Sequence, residues 1–260
     1  MSIKNGDFVL VDYILKVKDT GEVFDVTIEE EAKATNVYNP EIIYEPRLII
    51  VGEGWVIKGL EEALIDMQEG SEKTIEIPPE KAFGERDPSK VKTISARELT
   101  KQGITPRPGM RININGAMAI IRSVGSGRVI VDFNHPLSGK VIISKIIVRK
   151  IITDTIEKIR ELIHMRIRNI PKEKFIISKI DSILTIEMPE ETFLMDDIKY
   201  IKRGIVRDIG KYFKDFTSVQ FIETYNIKPR EQPKEQPKEE AKEQSEKLSE
   251  KPSEEQSTKE

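Results

Sequence analysis

The sequence predicts an α+β chain of several small domains, and three features carry that reading. Its first half is dominated by period-two alternation of apolar residues, the mark of half-buried strands. Only short helical stripes interrupt that pattern. From Thr153 onward the rhythm changes to longer stripes at helical spacing, which marks a new domain. A chain of 260 residues has room for one large domain or two to three small ones.

Val9, Val11, Tyr13, Leu15 and Val17 alternate with Leu10, Asp12, Ile14 and Lys16, giving a strand with one strongly apolar face. Lys18-Asp19-Thr20-Gly21 is a turn, and residues 22–26 return as a second strand. Residues 27–46 form a long mixed connection, of a length that is often functional inside a compact domain. Residues 47–51 read as a short apolar strand followed by Gly52-Glu53-Gly54. Leu60, Ala63, Leu64 and Met67 then fall on one face of a short helix, which Gly70 stops. Residues 73–77 alternate again and end at Pro78-Pro79.

Residues 86–134 read as a unit of their own. Ser95 and Glu98 have capping-box spacing for a helix over residues 95–102. Asn115-Gly116, between two apolar runs, is a hairpin signal, and Gly125-Ser126-Gly127 turns the chain into residues 128–133. The expected unit is a meander of about three strands plus a helix. Residues 140–151, rich in Ile and Val, read as one more long strand.

In the last part, Thr153 or Asp154 caps a helix whose apolar positions include Ile156, Ile159, Ile163 and Ile167. Residues 182–188 read as a strand, residues 189–213 as a helix and residues 218–225 as a strand. Met195, Ile198, Ile201, Ile205, Ile209 and Tyr212 form the second helix's stripe, a core face first and a dimer seam second. The expectation is an α-β-α-β domain over residues 153–228. Residues 229–260 are almost entirely Pro, Glu, Lys, Gln and Ser, the composition of a disordered charged tail.

Composition narrows the chemistry. The net charge is −3 with both signs nearly matched, which speaks against nucleic acid as a partner. No apolar run reaches ~18 residues, so no membrane span is expected. Residues 1–7 hold no apolar signal-peptide core, and the cytoplasm is the expected location. Without cysteine there is no disulfide, thiolate nucleophile or Cys-ligated zinc. No Gly-x-Ser-x-Gly elbow, Walker A or Rossmann glycine pattern occurs. His135, ahead of Pro136, reads as structural rather than as a metal ligand. An enzyme here is expected to need no metal, no cofactor and no covalent nucleophile.

Five motifs are specific in combination: Val11-Asp12-Tyr13; Gly21-Glu22-Val23-Phe24-Asp25; the run from Val51-Gly52-Glu53-Gly54-Trp55 through Val56-Ile57-Lys58-Gly59-Leu60 to Leu64; Ala82-Phe83-Gly84-Glu85-Arg86; and the run from Val131-Asp132-Phe133-Asn134-His135 through Pro136-Leu137-Ser138-Gly139-Lys140. In this order they resemble an FKBP-type peptidyl-prolyl isomerase of the long, SlyD-like group, over about residues 6–152. The resemblance implies a catalytic domain from residues 1–85 and 135–152, an antiparallel sheet wrapped on the short helix. It implies that residues 86–134 are the insert-in-flap domain, which catches unfolded chains. Residues 153–228 resemble the extra C-terminal domain of larger archaeal members, associated with dimerisation.

By the same resemblance, Tyr13, Phe24, Asp25, Val56, Ile57, Leu60, Phe83 and Leu137 line the proline pocket. Three positions depart from the family. Leu60 stands where many short members carry a pocket-floor tryptophan, Phe83 where a tyrosine is usual, and Ser144 where the last strand usually offers a phenylalanine. The loss at Phe83 would alter substrate or macrolide affinity, and Ser144 would open the pocket. In the insert, Ile112, Ile114, Met118, Ile120, Val129 and Val131 are candidates for a client-binding face. The expected partners are unfolded or nascent proline-containing polypeptides, a macrolide as candidate ligand, and a second copy of the chain through residues 153–228. The alternatives are a holdase with marginal isomerase activity and an assembly scaffold built on the C-terminal domain.

The chemistry fits this residue set. The X-Pro barrier of ~18–20 kcal/mol comes from amide resonance, and no bond need break to cross it. A twisted amide is less polar than a planar one, so apolar walls favour it. Each ~1.4 kcal/mol of that preference gives about tenfold in rate. Phe24, Val56, Ile57, Leu60 and Phe83 are the expected walls. Tyr13, Asp25 and the Ile57 N–H are the expected polar contacts.

Overall fold

Phe8–Val17 (β1) is buried along nearly its whole length, and the rest of the first domain is assembled on it. The structure, a computed structural model, describes residues 1–227. β1 turns back as Val23–Val26 (β2), and a short helix, Glu29–Ala34 (α1), follows. Arg47–Ile50 (β3) leads into the helix Lys58–Leu64 (α2), and Glu72–Ile77 (β4) comes next. The last strand of the domain, Ile142–Ile152 (β9), arrives only after an excursion through residues 86–134. β9 pairs antiparallel with β1 from Phe8↔Ile152 to Val17↔Ile142 and with β4 on its other side. β2 and β3 share the remaining edge of β1, β3 against Phe8–Val11 and β2 against Ile14–Lys16.

The alternation of β1 settles what covers each face of this five-stranded sheet. Val9, Val11, Tyr13 and Leu15 point to one side, where they meet Ile146, Val148, Leu60 and Leu64 in one core. Each such side chain contributes about 1.5–3 kcal/mol by burial. α2 approaches β4 closely at Gly59, where a Cβ would lie 2.4 Å from Ile77 Cγ2. Phe8 points to the opposite face with Leu48, Ile50 and Ile152, and there Leu162, Met165 and Tyr212 of the C-terminal segment cover it.

The excursion forms its own four-stranded sheet. Val91–Ser95 (β5), the helix Ala96–Lys101 (α3), Arg111–Ile114 (β6), Ala117–Gly125 (β7) and Arg128–Asp132 (β8) follow in chain order. In space the strand order is β5-β8-β7-β6, around Leu99, Ile112, Ala119, Ile121, Val129 and Val131. The β6–β7 turn places Asn115 at φ 51° and Gly116 at φ 83°. Positive φ at both central residues matches a right-twisted hairpin, and Asn-Gly tolerates it at least cost.

After β9, Asp154 caps the helix Thr155–Arg166 (α4) by accepting from the Glu157 N–H at 2.8 Å. The hairpin Ile176–Ile180 (β10) and Ile183–Met188 (β11) follows. Ile198–Tyr212 (α5) then crosses over to Ser218–Glu223 (β12), which pairs parallel to β11. Ile159, Ile163, Phe175, Leu184, Ile186, Ile205 and Ile209 make its core.

Several expectations need correction. The excursion has four strands, because Val91–Ser95 pairs with β8 as an edge strand. Ser95 precedes α3, but its side chain makes no capping hydrogen bond. The C-terminal segment runs α-β-β-α-β, since β10 adds a strand, and its second helix starts at Ile198 rather than at residue 189. The connection after β2 contains a helix, α1. The expected charged tail, residues 229–260, lies outside the described residues.

Candidate functional site

A cleft of about 860 Å³ opens on the α2 side of the first sheet. β1 contributes Tyr13 and Leu15, the β2 strand Phe24 and Asp25, and the start of β3 Arg47. The turn into α2 supplies Trp55, Val56 and Ile57, and the segments flanking the excursion supply Phe83, His135, Pro136 and Leu137. Seven of the eight residues expected at the pocket thus border one cleft. The eighth, Leu60, does not. It is completely buried on the inner face of α2, in the sheet's core.

The polar side is a short chain of contacts. The Tyr13 hydroxyl donates to Asp25 Oδ2 at 3.0 Å. The Arg47 guanidinium reaches the same oxygen at 3.5 Å and lies over the Tyr13 ring, 5.2 Å from its centre. Burial pushes the Tyr13 hydroxyl well above its ordinary pKa, and the neighbouring Asp25 charge adds to this. It therefore remains a donor at any physiological pH. Beneath it, the Tyr13 N–H donates to Thr27 Oγ1 at 3.0 Å, and the Thr27 hydroxyl donates to Asp12, which also accepts from Arg149. These bonds tie the chain after β2 to β1, with Asp25 paired to Leu15 in register and its carboxylate at the Tyr13 hydroxyl.

The apolar side is built from rings. Phe24 and Phe83 meet edge to face at 5.6 Å, and Phe83 also stacks on His135 at 4.6 Å and 4°. His135 Nδ1 accepts from the Leu137 N–H, and the Ser138 hydroxyl donates to the Phe83 carbonyl. Two segments far apart in sequence are thereby held as one wall. Ser144, expected to open the pocket, lies completely buried between Leu15 on β1 and Ile75 on β4 and does not line the cleft. A smaller cavity of about 150 Å³ abuts Phe24, Asp25 and Arg47 and is closed by Ile42, Tyr44, Glu45 and Arg168.

The cleft also has members outside the eight residues expected there. Arg47 stands at the head of a strand that reads as purely apolar, and its contact with Asp25 spans 22 residues. Trp55 walls the cleft and also meets Tyr212 edge to face at 6.4 Å. Arg111 reaches the cleft from the excursion's β6.

The two ends of the excursion are bound together around Asp132, which is fully buried. Asp132 accepts from Arg86 at 2.7 Å, from Arg122 at 3.0 Å and from the Asn134 N–H at 2.9 Å. Burial raises the tendency of this carboxyl to stay protonated. The Asn134 hydrogen bonds and the two arginines outweigh that and hold it at about 2. Of the six residues expected on a client-binding face, Ile112, Val129 and Val131 are buried in the excursion's own core and cannot meet a client while it is folded. Met118 is 61% exposed, and Ile114 and Ile120 are half-buried. Met110, Val124 and Ile130 are further exposed apolar side chains there.

Among the described residues, no group of three or more His, Asp or Glu side chains could hold a metal ion, and no helix is long and apolar enough to cross a membrane. The site offers rings, the buried Tyr13 hydroxyl, the carboxylates of Glu22 and Asp25 and the guanidiniums of Arg47 and Arg111. That set can orient an amide and enclose a ring, and it holds no evident nucleophile.

Comparison with known proteins adds the following. The family model described as FKBP-type peptidyl-prolyl cis-trans isomerase matches residues 1–100. Those described as FKBP26, IF domain, and FKBP26_C-terminal match residues 92–137 and 155–226. The chain is 47% identical over 138 residues to a Methanocaldococcus jannaschii protein named short-type peptidyl-prolyl cis-trans isomerase, covering 53% of this chain and 87% of the relative. It is 30% identical over 155 residues to the Treponema pallidum FKBP-type isomerase SlyD, covering 58% and 79%. It is 29% identical over 147 residues to an Escherichia coli FKBP-type 16 kDa isomerase, covering 54% and 88%.

Proposed function

The chain belongs to the FKBP-type peptidyl-prolyl cis-trans isomerases, and from that premise we propose that it turns X-Pro bonds of unfolded or nascent chains inside the cleft around Tyr13 and Phe83. The observation that carries this reading is the pairing of a ring-lined wall, Phe24 against Phe83, with the Tyr13–Asp25–Arg47 contacts across one cleft. The substrate proline sits against Phe24, Val56, Ile57, Phe83 and Leu137, whose apolar surface favours the twisted amide over the planar one. The Ile57 N–H, ahead of α2, donates to a substrate carbonyl, and Asp25, held by Tyr13 and Arg47, presents its other oxygen to the flanking peptide. Only interactions stronger in the twisted state accelerate the step. A macrolide is a candidate ligand of the same cleft.

Isomerisation of an Ala-Leu-Pro-Phe peptide, followed by NMR exchange, tests the assignment. Wild type is expected to catalyse and the Phe24→Ala, Asp25→Ala variant to lose catalysis. A folded variant with undiminished activity would remove the site from this cleft.

A second reading, a holdase with marginal isomerase activity, is favoured by the exposed Met110, Met118, Val124 and Ile130 on the excursion. We assign residues 86–134 to client capture and residues 153–228 to a separate domain. Removing residues 86–134 should abolish suppression of aggregation and spare turnover of the short peptide. Retained suppression would sink the capture role. Exposed Ile176 and Ile180 on edge strand β10 favour self-association of the C-terminal domain, with the cytoplasm as the working location. Light scattering on a chain ending near Ile152 tests it, and an unchanged particle mass relative to chain mass would refute it.

A further inference from the structure

The loop that walls the cleft on one side and the segment that leads into Arg47 on the other are both gripped from behind by the C-terminal helices. The first loop, residues 51–57, carries Trp55, Val56 and Ile57. Its Glu53 carboxylate accepts from Lys211 Nζ and from the Tyr212 hydroxyl at 3.3 Å, both at the end of α5. The hydrogen bond from Lys211 lowers the pKa of Glu53 below the usual carboxylate range. The Tyr212 ring also meets Trp55 edge to face. The segment leading into Arg47 is residues 37–46. Its Glu45 pairs with His164 Nε2 at 2.8 Å and lies 3.9 Å from Arg168, at and just beyond the end of α4. Glu45 and His164 are 27% and 15% exposed, so water competes only partly for this contact.

The two grips act as one unit. α4 and α5 are locked to each other by Arg166, which donates twice to Asp208 at 2.8 and 2.5 Å. Leu162, Met165 and Tyr212 pack into the same apolar cluster as Phe8, Leu48 and Ile50 of the sheet's outer face. A shift of the helix pair would therefore move Trp55 on one rim and Arg47 on the other.

We propose that the C-terminal helices are part of the isomerase's working site, with Lys211, Tyr212, His164 and Arg168 as positioning residues that hold the cleft loop of Trp55 and the segment leading into Arg47 through Glu53, Trp55 and Glu45. This rests on the assignment of turnover to the cleft. None of the four touches the reacting amide. They fix the distance between the ring wall and the Asp25–Arg47 side, on which the preference for a twisted amide depends.

The test uses the full chain and the Ala-Leu-Pro-Phe peptide. Lys211→Met and His164→Ala are each expected to lower kcat by roughly fivefold or more with a smaller change in KM, since a misplacement of about 1 Å costs up to about a hundredfold. Lys211→Arg, which keeps the ion pair, is expected to restore most of kcat. Trp55 is the single tryptophan, so its emission reports the first grip directly and is expected to shift in Lys211→Met. Lys202→Met breaks a different α5 ion pair, with Glu223, and is expected to change neither readout. His164→Gln replaces His164→Ala if the latter does not fold.

Folded Lys211→Met and His164 variants with wild-type kcat would overturn the proposal, as would an equal loss in Lys202→Met. If those variants are normal while Phe24→Ala, Asp25→Ala is inactive, the cleft assignment stands and the grip alone fails. If Phe24→Ala, Asp25→Ala remains active, both are overturned.

Discussion

Replacing Asp132 by Asn neutralises the buried carboxylate that ties the two ends of the excursion together. An ordinary aspartate titrates at 3.8, and the junction holds Asp132 at about 2. That difference is worth roughly 2 kcal/mol of folding free energy. The folded value lies below the unfolded one, so the stabilisation is complete above about pH 4 and disappears as pH falls through about 2. At pH 7 the variant should lose about 2 kcal/mol. Arg86 and Arg122 are 52% and 44% exposed, so they can turn to water and no larger penalty from stranded charge is expected. Urea unfolding followed by far-ultraviolet circular dichroism at pH 7, 4 and 2 measures the gap between variant and wild type. It should be nearly full at pH 7, still large at pH 4 and much reduced at pH 2. A gap below about 0.5 kcal/mol at pH 7, or one as wide at pH 2 as at pH 7, would refute the balance of burial and hydrogen bonding argued for this group.

Other perturbations probe the cleft and its supports. Tyr13→Phe removes the hydroxyl that donates to Asp25 and should lower kcat/KM for a short peptide about tenfold, since a bond to a charged group is worth about 1.5–3 kcal/mol; unchanged kinetics would assign the hydroxyl a purely structural role. Gly59→Ala sets a Cβ 2.4 Å from Ile77 Cγ2 and should destabilise the fold by about 1–3 kcal/mol despite alanine's better helix propensity, which a thermal melt checks; an unchanged Tm would mean that α2 moves freely over β4. The Ser144 hydroxyl is buried and finds no hydrogen-bond partner among the described residues, so Ser144→Ala should leave stability unchanged or raise it by about 1 kcal/mol; a clear loss in denaturant unfolding would contradict that.

The elements most legible in the sequence were those whose burial is one-sided and complete. β1 alternates because one face meets α2, and the Asn115-Gly116 turn is legible because its backbone demands those residues. The missed strands, Val91–Ser95 and Ile176–Ile180, are both sheet edges. Edge strands leave residues such as Ile176 and Ile180 in water, and their pattern carries little periodicity. α1, Glu-Glu-Glu-Ala-Lys-Ala, buries one alanine and so has no apolar stripe. In the cleft, motif order brought out Tyr13, Phe24, Asp25 and Phe83. Arg47 escaped because its partner, Asp25, is chosen by tertiary packing. Leu60, named through the resemblance, lies in the core rather than in the cleft lining, because a motif fixes a residue's place on α2 and not its depth.

The pairing of β1 with β9 has a consequence for how the chain is made. β9 is the central partner of β1, yet all of residues 18–141 are synthesised between them. At ~5–20 residues per second, β1 waits on the order of ten seconds on the ribosome for its partner. The excursion closes on contacts within residues 91–132 and can fold during that wait. The order of completion is then the reverse of what the chain order suggests. The interrupted sheet finishes after the segment that interrupts it, and the cleft on that sheet is among the later parts to form.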